Sequence, residues 1–406
     1  MKSRSKPTPS SKKAPKKEAP TNPVEAGTIP PPAPLVKTGF RALSGKMPEG
    51  WGKASDVLDR VRAVPTIFPH FNKATRVGGL PVRRITTVHG PTHGGKTAAI
   101  GGFIRSFIEQ DHAASYIDAE HATDLKWVDE FLGRPASEFP NFFAERPKTY
   151  EETIDKVDTF LGWMVAERKA RFEYWREHLK LKKDAKLPPL PPELDLAGLM
   201  IVDSLNKLVP ERELKKLQAE GGDAIDKGWG RYRAAMNQAW LDHIVPMLGA
   251  AETAFVIIVQ ERDADDLKPW EQPTLKGGAA SQYDASLIIR VMKGRAIELG
   301  EGASKKVFGF AHRMRIWKSK VGMMETDHTD ATFHMSNGKL VPEGFDTARD
   351  AILVGKELGI IDLAGSWYTW RKKRWNGDHN AVAALTKDRE ALTALLAEIN
   401  TKIGAL

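Results

Sequence analysis

The stretch "GPTHGGKT", residues 90–97, holds glycines at Gly90, Gly94 and Gly95 and ends on Lys96 and Thr97. Glycines at this spacing let successive backbone N–H groups turn inward around phosphate oxygens, with a lysine to meet the terminal phosphates and a hydroxyl to meet a magnesium ion. The expected nucleotide cradle is therefore Gly90, Pro91, Thr92, His93, Gly94, Gly95, Lys96 and Thr97. A magnesium-bound triphosphate also needs a carboxylate at the end of a second strand. "LMIVDS" supplies one in Asp203, so Thr97 and Asp203 are the expected metal contacts.

These residues need strands and helices to position them. "RITTVHG", "ASYIDAE", "LMIVDS", "AFVIIVQ" and "SLIIRV" are apolar or β-branched runs, each ending in a polar residue and separated by helix-length segments. That pattern predicts a mostly parallel twisted sheet with helices on both faces, and places chemistry beyond the carboxyl ends of the strands. "VAERKARFEYWREHLKLKKDAKLPPLPPEL", residues 165–194, reads as a charged helix and a proline spacer. Its Phe172, Tyr174 and Trp175 could stack on bases but better fit a surface helix with one packed face.

The 406 residues carry 61 Lys+Arg against 52 Asp+Glu, a formal net charge of +9, which favours an anionic partner. Most of that excess sits in residues 1–37, where eight basic and two acidic side chains lie in a Pro-, Ser- and Lys-rich tail expected to be disordered. The absence of cysteine excludes disulfides and thiolate metal sites. With no membrane-length apolar run and no secretory signal pattern, the expected location is cytoplasmic, with no membrane partner.

"ASYIDAEHATDLKW" resembles the RecA recombinases, whose sequence here reads F-I-D-A-E-H-A-L-D followed by a tyrosine. The likeness continues in order through "GPTHGGKT", "LMIVDS", "VIIVQER", "KGGAASQYDAS", "WKSK" and "ARDAILVGKELGIIDLAGSWYTW", and spans roughly Val64 to the C-terminus. It implies a RecA-like phosphate-loop ATPase core at residues 65–344, with the helical insert at 165–194. Residues 38–64 would form an N-terminal polymerisation segment, and 345–406 a small C-terminal α/β domain that gathers duplex DNA. ATP and Mg²⁺ are the implied cofactors. Single-stranded DNA, duplex DNA and further copies of the chain in a helical filament are the implied partners, with a mediator or single-strand-binding protein as a further one.

The resemblance also assigns roles. Glu120 would position the attacking water, Asp124 and Trp127 would contact adenine, and Gln260 would sense the γ-phosphate. Read without the resemblance, Gln260 is a polar strand-end group. Lys318 and Lys320 would reach the nucleotide of a neighbouring subunit, with Tyr283 packing across the same interface; alone, two such lysines read as a solvated strand face.

Two DNA-binding loops are expected, at residues 210–231 and 261–276. Trp229, between two glycines, would wedge between bases in the first or anchor a packed loop. Arg262, Lys268, Trp270, Lys276, Gly277 and Gly278 are the candidates in the second, although Asp263, Asp265 and Asp266 are an unfavourable acidic cluster there. Arg371, Lys372, Lys373 and Arg374, interleaved with Trp367, Tyr368, Trp370 and Trp375, read as a duplex-phosphate patch whose aromatics also suit a small core. The chain ends on "INTKIGAL" with no acidic tail, so weaker autoinhibition is expected.

Upstream of Val64 the match fades. "GKASDVLDRVRAV" has Val57, Leu58, Val61 and Val64 on one helical face and is expected to be a polymerisation helix. These departures are those of a divergent recombinase, for which a phage-encoded origin, as in UvsX, is one expectation. A ring helicase or branch-migration ATPase built on the same core, and a nucleotide-switched single-stranded-DNA coat without turnover, are the competing functions.

Overall fold

The computed structural model describes residues 60–221, 228–262, 274–275, 280–299, 306–322, 330–336 and 344–405. The tail at 1–37 therefore lies outside the described residues, as does most of the segment expected to form the polymerisation helix. Of its last part, residues 60–64, only Ala63–Val64 takes regular structure, as a strand. Val64 is buried in a strand and not on a helical face.

That strand, β1 (Ala63–Val64), is followed by a helix α1 (Pro69–Ala74) and by β2 (Leu80–Pro81), which pairs antiparallel with β1. The chain then alternates strand and helix: β3 (Ile85–His89), α2 (Lys96–Ile108), β4 (Ala113–Asp118), α3 (Leu125–Leu132), β5 (Phe142–Glu145), α4 (Tyr150–His178) and β6 (Gly198–Asp203). Two helices, α5 (Glu211–Glu220) and α6 (Trp229–Ala251), precede β7 (Thr253–Ile258). The short strands β8 (Glu261–Arg262) and β9 (Thr274–Leu275) pair with each other, and α7 (Ala280–Tyr283) leads into β10 (Leu287–Leu299), β11 (Lys306–Ser319), β12 (Asp330–Ser336) and β13 (Gly344–Phe345). The C-terminal unit is α8 (Thr347–Glu357), a three-stranded sheet of β14 (Asp362–Ala364), β15 (Trp367–Trp370) and β16 (Lys373–Asn376), then α9 (Asp378–Lys387) and α10 (Arg389–Gly404).

Among the described residues the main sheet has nine strands in the order β13-β12-β11-β10-β3-β7-β6-β4-β5. From β10 to β5 all pairs are parallel, and β11 to β13 extend the sheet antiparallel. The five apolar runs of the sequence are the central parallel strands. Their continuity follows from burial on both faces. Leu199, Ile201, Ala254 and Val256 join one buried cluster with α2, whereas Met200, Val202, Phe255 and Ile257 join another with α4 and α6.

Helix α4 explains the charged insert. Thr149 caps it by accepting from Glu152 N at 3.1 Å, and its buried residues, from Tyr150 to Met164, all lie in its first half. Beyond Met164 no residue of the 29-residue helix is fully buried, and its main tie to the core is Arg168, which donates to Leu196 O and lies 3.9 Å from Glu252. Residues 165–194 are therefore the more exposed half of a core helix plus the proline spacer, and Tyr174 is 59% exposed. The C-terminal unit has its own cluster, including Ala351, Ile361, Trp370, Leu385, Leu395 and Ile399.

Candidate active site

The loop after β3 is pressed against the antiparallel part of the sheet. A Cβ on Gly90 would lie 2.1 Å from the Val291 carbonyl oxygen of β10. Gly95 takes φ +96°, and a Cβ there would lie 2.4 Å from the His312 ring of β11. Only glycine fits either position. Pro91 and Gly94 close the turn, Gly94 N donating to Pro91 O at 3.1 Å, while Thr92 and His93 stand exposed at its crown, His93 in the left-handed region at φ 59°.

Gly95 is also the N-cap of α2 and supplies no side chain to the helix's first N–H groups, which leaves a positive helix end behind the loop. Lys96 Nζ donates to Gly90 O and Pro91 O, both at 2.9 Å, so its ammonium lies within the loop it would share with a phosphate. Burial holds Lys96 below the ordinary lysine range, opposed by the Glu261, Asp203 and Glu120 carboxylates. A bare cradle, an uncapped helix end and an enclosed ammonium fit a nucleoside triphosphate. Thr97 and Asp203 offer one hydroxyl and one carboxylate, a set that suits magnesium, which keeps phosphate and water as its other ligands.

Asp203 ends β6 beside Asp118 at the end of β4, the two paired in register. Tyr116 donates its hydroxyl to Asp203 Oδ2 at 2.8 Å. Burial pushes Asp203 up to about 6, with the Tyr116 hydrogen bond pulling it down and Glu120 and Asp118 pushing it further up. The Asp203 carbonyl accepts from Ala119 N at 2.7 Å and Glu120 N at 3.2 Å, which hangs the turn after β4 on the end of β6.

Three strand ends then meet at one oxygen. Glu120 Oε1 accepts from Ser204 Oγ at 3.0 Å and from Gln260 Nε2 at 3.1 Å. Asn206 Oδ1 accepts from Gln260 N at 3.1 Å and holds the backbone of that residue. Sequence reasoning placed Glu120, Asp203 and Gln260 at strand ends but assigned nothing to Tyr116, Ser204 or Asn206. The only local signal for Ser204 was its position directly after Asp203.

Asp124 caps α3, accepting from Lys126 N at 3.3 Å, and lines an open cleft with Tyr116, Asp118, Leu125, Glu145 and Arg146. Arg146, another residue the sequence did not single out, donates to Asp118 Oδ2 at 2.9 Å. Trp127 does not line that cleft. It is half-buried, edge-on to Phe131 at 4.1 Å, in a small apolar space with Thr97 and Ile100.

Lys318 and Lys320 converge on the Tyr283 carbonyl oxygen, at 3.0 and 3.1 Å, and the Tyr283 side chain is 71% exposed. Trp229 differs from expectation. It is the first residue of α6, half-buried beside Arg212, Lys216 and Tyr232, and α5 fills much of the segment expected to be a loop. The backbone of Arg262 pairs with Thr274. Lys268, Trp270, Lys276, Gly277 and Gly278 lie outside the described residues, as do Asp263, Asp265 and Asp266.

In the C-terminal unit, Arg371 and Lys372 form the turn from β15 to β16, with Arg371 at φ 53°. Arg371 is paired with Glu398 at 3.1 Å and Lys373 with Asp388 at 2.8 Å, so two of the four basic charges are partly neutralised within the unit. Arg374 lies over the Trp367 ring at 4.5 Å. Trp370 is core, its indole N–H donating to Glu398 at 3.1 Å, while Tyr368 and Trp375 pack against that core. Among the described residues no helix is long and apolar enough to cross a membrane.

A glycine loop between a central parallel strand and a helix, with acidic strand ends beside it, makes this a RecA-like phosphate-loop α/β fold with a small C-terminal domain. Residues 52–162 match the family model described as the RecA N-terminal domain. The chain is similar to Protein RecA of Desulforapulum autotrophicum, 26% identical over 372 residues that cover 90% of this chain and 92% of that protein. It is similar to Protein RecA of Thermus thermophilus, 26% over 346 residues and 85% of each, and to that of Bacteroides thetaiotaomicron, 25% over 359 residues, 87% of this chain and 93% of that protein. The family model and these relatives together support a divergent member of the RecA family.

Proposed function

We propose that this protein is an ATP-dependent recombinase that coats single-stranded DNA as a helical filament and pairs it with homologous duplex. The observation that carries the reading is the convergence of Ser204 and Gln260 on Glu120 beside the phosphate loop. A carboxylate held by two donors is positioned to orient a water, and one of those donors sits two residues past β7, next to the hairpin that leads to the expected second DNA loop.

ATP with Mg²⁺ supplies the phosphoanhydride bond and the charge neutralisation for its hydrolysis. Lys96 and the α2 N-terminus attract the β- and γ-phosphates. Thr97 and Asp203 hold the metal, with Tyr116 fixing the Asp203 carboxylate. Glu120 orients the attacking water and takes up its proton. Gln260 leaves Glu120 or stays according to what occupies the γ-phosphate position, and so reports nucleotide state to the hairpin. Lys318 and Lys320 release the Tyr283 carbonyl to reach a neighbour's nucleotide, which links assembly to turnover. The basic turn at Arg371 to Arg374, Lys372 and Arg374 above all, gathers duplex phosphates.

The test is phosphate release with and without single-stranded DNA, with the same mixtures imaged by electron microscopy. Stimulated turnover with extended filaments is the expected result, and Glu120→Gln protein should form filaments that bind ATP and release no phosphate. Discrete rings would move the protein to the helicase class. Filaments with no turnover would leave a nucleotide-switched coat.

A further inference from the structure

We propose that His89, Glu261 and Arg290 form a positioning triad that locks the neck of the β8–β9 hairpin to the root of the phosphate loop and carries the coupling between them. The proposal rests on the functional reading above only for what the hairpin binds; the triad itself is read from the geometry.

His89 is the last residue of β3 and directly precedes Gly90; Arg290 stands opposite it in the parallel register of β10. Between them lies the Glu261 carboxylate. His89 Nδ1 is 2.7 Å from Oε1, and Arg290 grips both oxygens, Nε to Oε1 at 2.9 Å and Nη2 to Oε2 at 3.0 Å. The side-chain exposures are 0% for His89, 2% for Glu261 and 16% for Arg290. Trp317 closes the site, its ring 4.4 Å from that of His89 and 5.5 Å from the Arg290 guanidinium, directly before Lys318.

A carboxylate this deep is tolerated because a two-pronged guanidinium and an imidazole replace its water. Glu261 is also the first residue of β8 and follows Gln260, so it fixes the switch residue to within one Cα–Cα step of the triad. The hairpin can shift relative to the phosphate loop only by carrying His89 and Gly90 with it or by opening a buried ion pair. A contact with two such discrete outcomes transmits displacement; apolar packing of the same shape slides.

Three proteins separate these roles: the parent, Glu261→Gln, and a triple variant Glu261→Leu, Arg290→Met, His89→Phe, which removes the charges together and leaves none unpaired. In each, hydrogen exchange of the β8 and β9 amides is followed with and without a non-hydrolysable ATP analogue and magnesium, alongside phosphate release with and without single-stranded DNA. In the parent the analogue should slow exchange at the hairpin. Both variants should still bind the analogue, lose that protection, and show the ratio of DNA-stimulated to their own DNA-free turnover reduced about tenfold, the size of an ordinary coupling.

If the folded triple variant retained the parent's protection, the triad would be packing alone. An analogue without effect on the hairpin of the parent would likewise overturn the proposal. If the parent shows triad-dependent protection but no stimulation by DNA, the triad stands and the recombinase reading fails.

Discussion

At the scale of single residues, buried histidines set how the fold responds to acid. His112 is held down to about 4, chiefly by burial and next by the Arg62 charge, and its Nδ1 accepts from Ala197 N at 3.3 Å. His312, stacked on Phe333 beneath the phosphate loop, is also lowered to about 4, by burial and then by Lys293. Below pH 6.5 the unfolded chain takes up protons that the folded chain refuses until about pH 4. The stabilisation is therefore complete above pH 6.5 and is lost as pH falls through that interval, by at most about 3 kcal/mol per histidine. The urea midpoint should fall between pH 6.5 and 4, and His112→Asn, which keeps an acceptor for Ala197, should flatten part of that fall. A variant with the parent's full acid slope would show that His112 does not contribute.

At the scale of elements, Phe68 is the joint that holds α1, α2 and the sheet's antiparallel end together. It is 1% exposed, 4.7 Å from Phe333, 5.3 Å from Phe345 and 5.8 Å from Phe103, and a Cβ on Gly102 would lie 2.0 Å from its ring. Phe68→Ala should cost about 3–5 kcal/mol in guanidinium unfolding; a loss below ~1 kcal/mol would mean that the surrounding rings close the gap. The parallel strands were legible in the sequence because both their faces are buried. Strands β11 to β13 were less so: β11 showed only the Lys318 end as a strand face, its apolar stretch Val307–Ala311 is interrupted by Gly309 and mostly not buried, and burial alternates only from His312 to Ile316. Helix α4 was misjudged at its start for a related reason. Its buried half reads as part of the core and only its more exposed half stands out by charge.

At the scale of the whole molecule, one exposed aromatic bears on assembly. Tyr283 presents a bare ring while its carbonyl holds both Lys318 and Lys320. Tyr283→Ala should leave the unfolding midpoint of the isolated chain nearly unchanged, as exposed positions do. In the proposed filament it should reduce nucleotide-dependent light scattering and DNA-stimulated turnover severalfold. Scattering equal to the parent's would remove Tyr283 from the interface. The C-terminal unit is fastened to α1 by His70 and Lys73 on Glu357 and by Asn72 on Asn400, contacts that span most of the chain and that no local pattern announces.

The sequence by itself determined the phosphate loop, the strand-end carboxylates and the family resemblance, because each is written in contiguous residues whose backbone or side-chain chemistry acts locally. Trp229 shows the limit of that reading, since flanking glycines suggested a loop and the chain made a helix start of it. Only the tertiary structure decided which strand ends meet. Glu120 and Gln260 are 140 residues apart, and the order β7-β6-β4 brings them to one oxygen. The same order, with β3 between β7 and β10, encloses Glu261 between His89 and Arg290. Strand order is fixed by packing of apolar faces across the whole sheet, so the polar residues at the strand ends meet partners that their own neighbours in sequence do not specify.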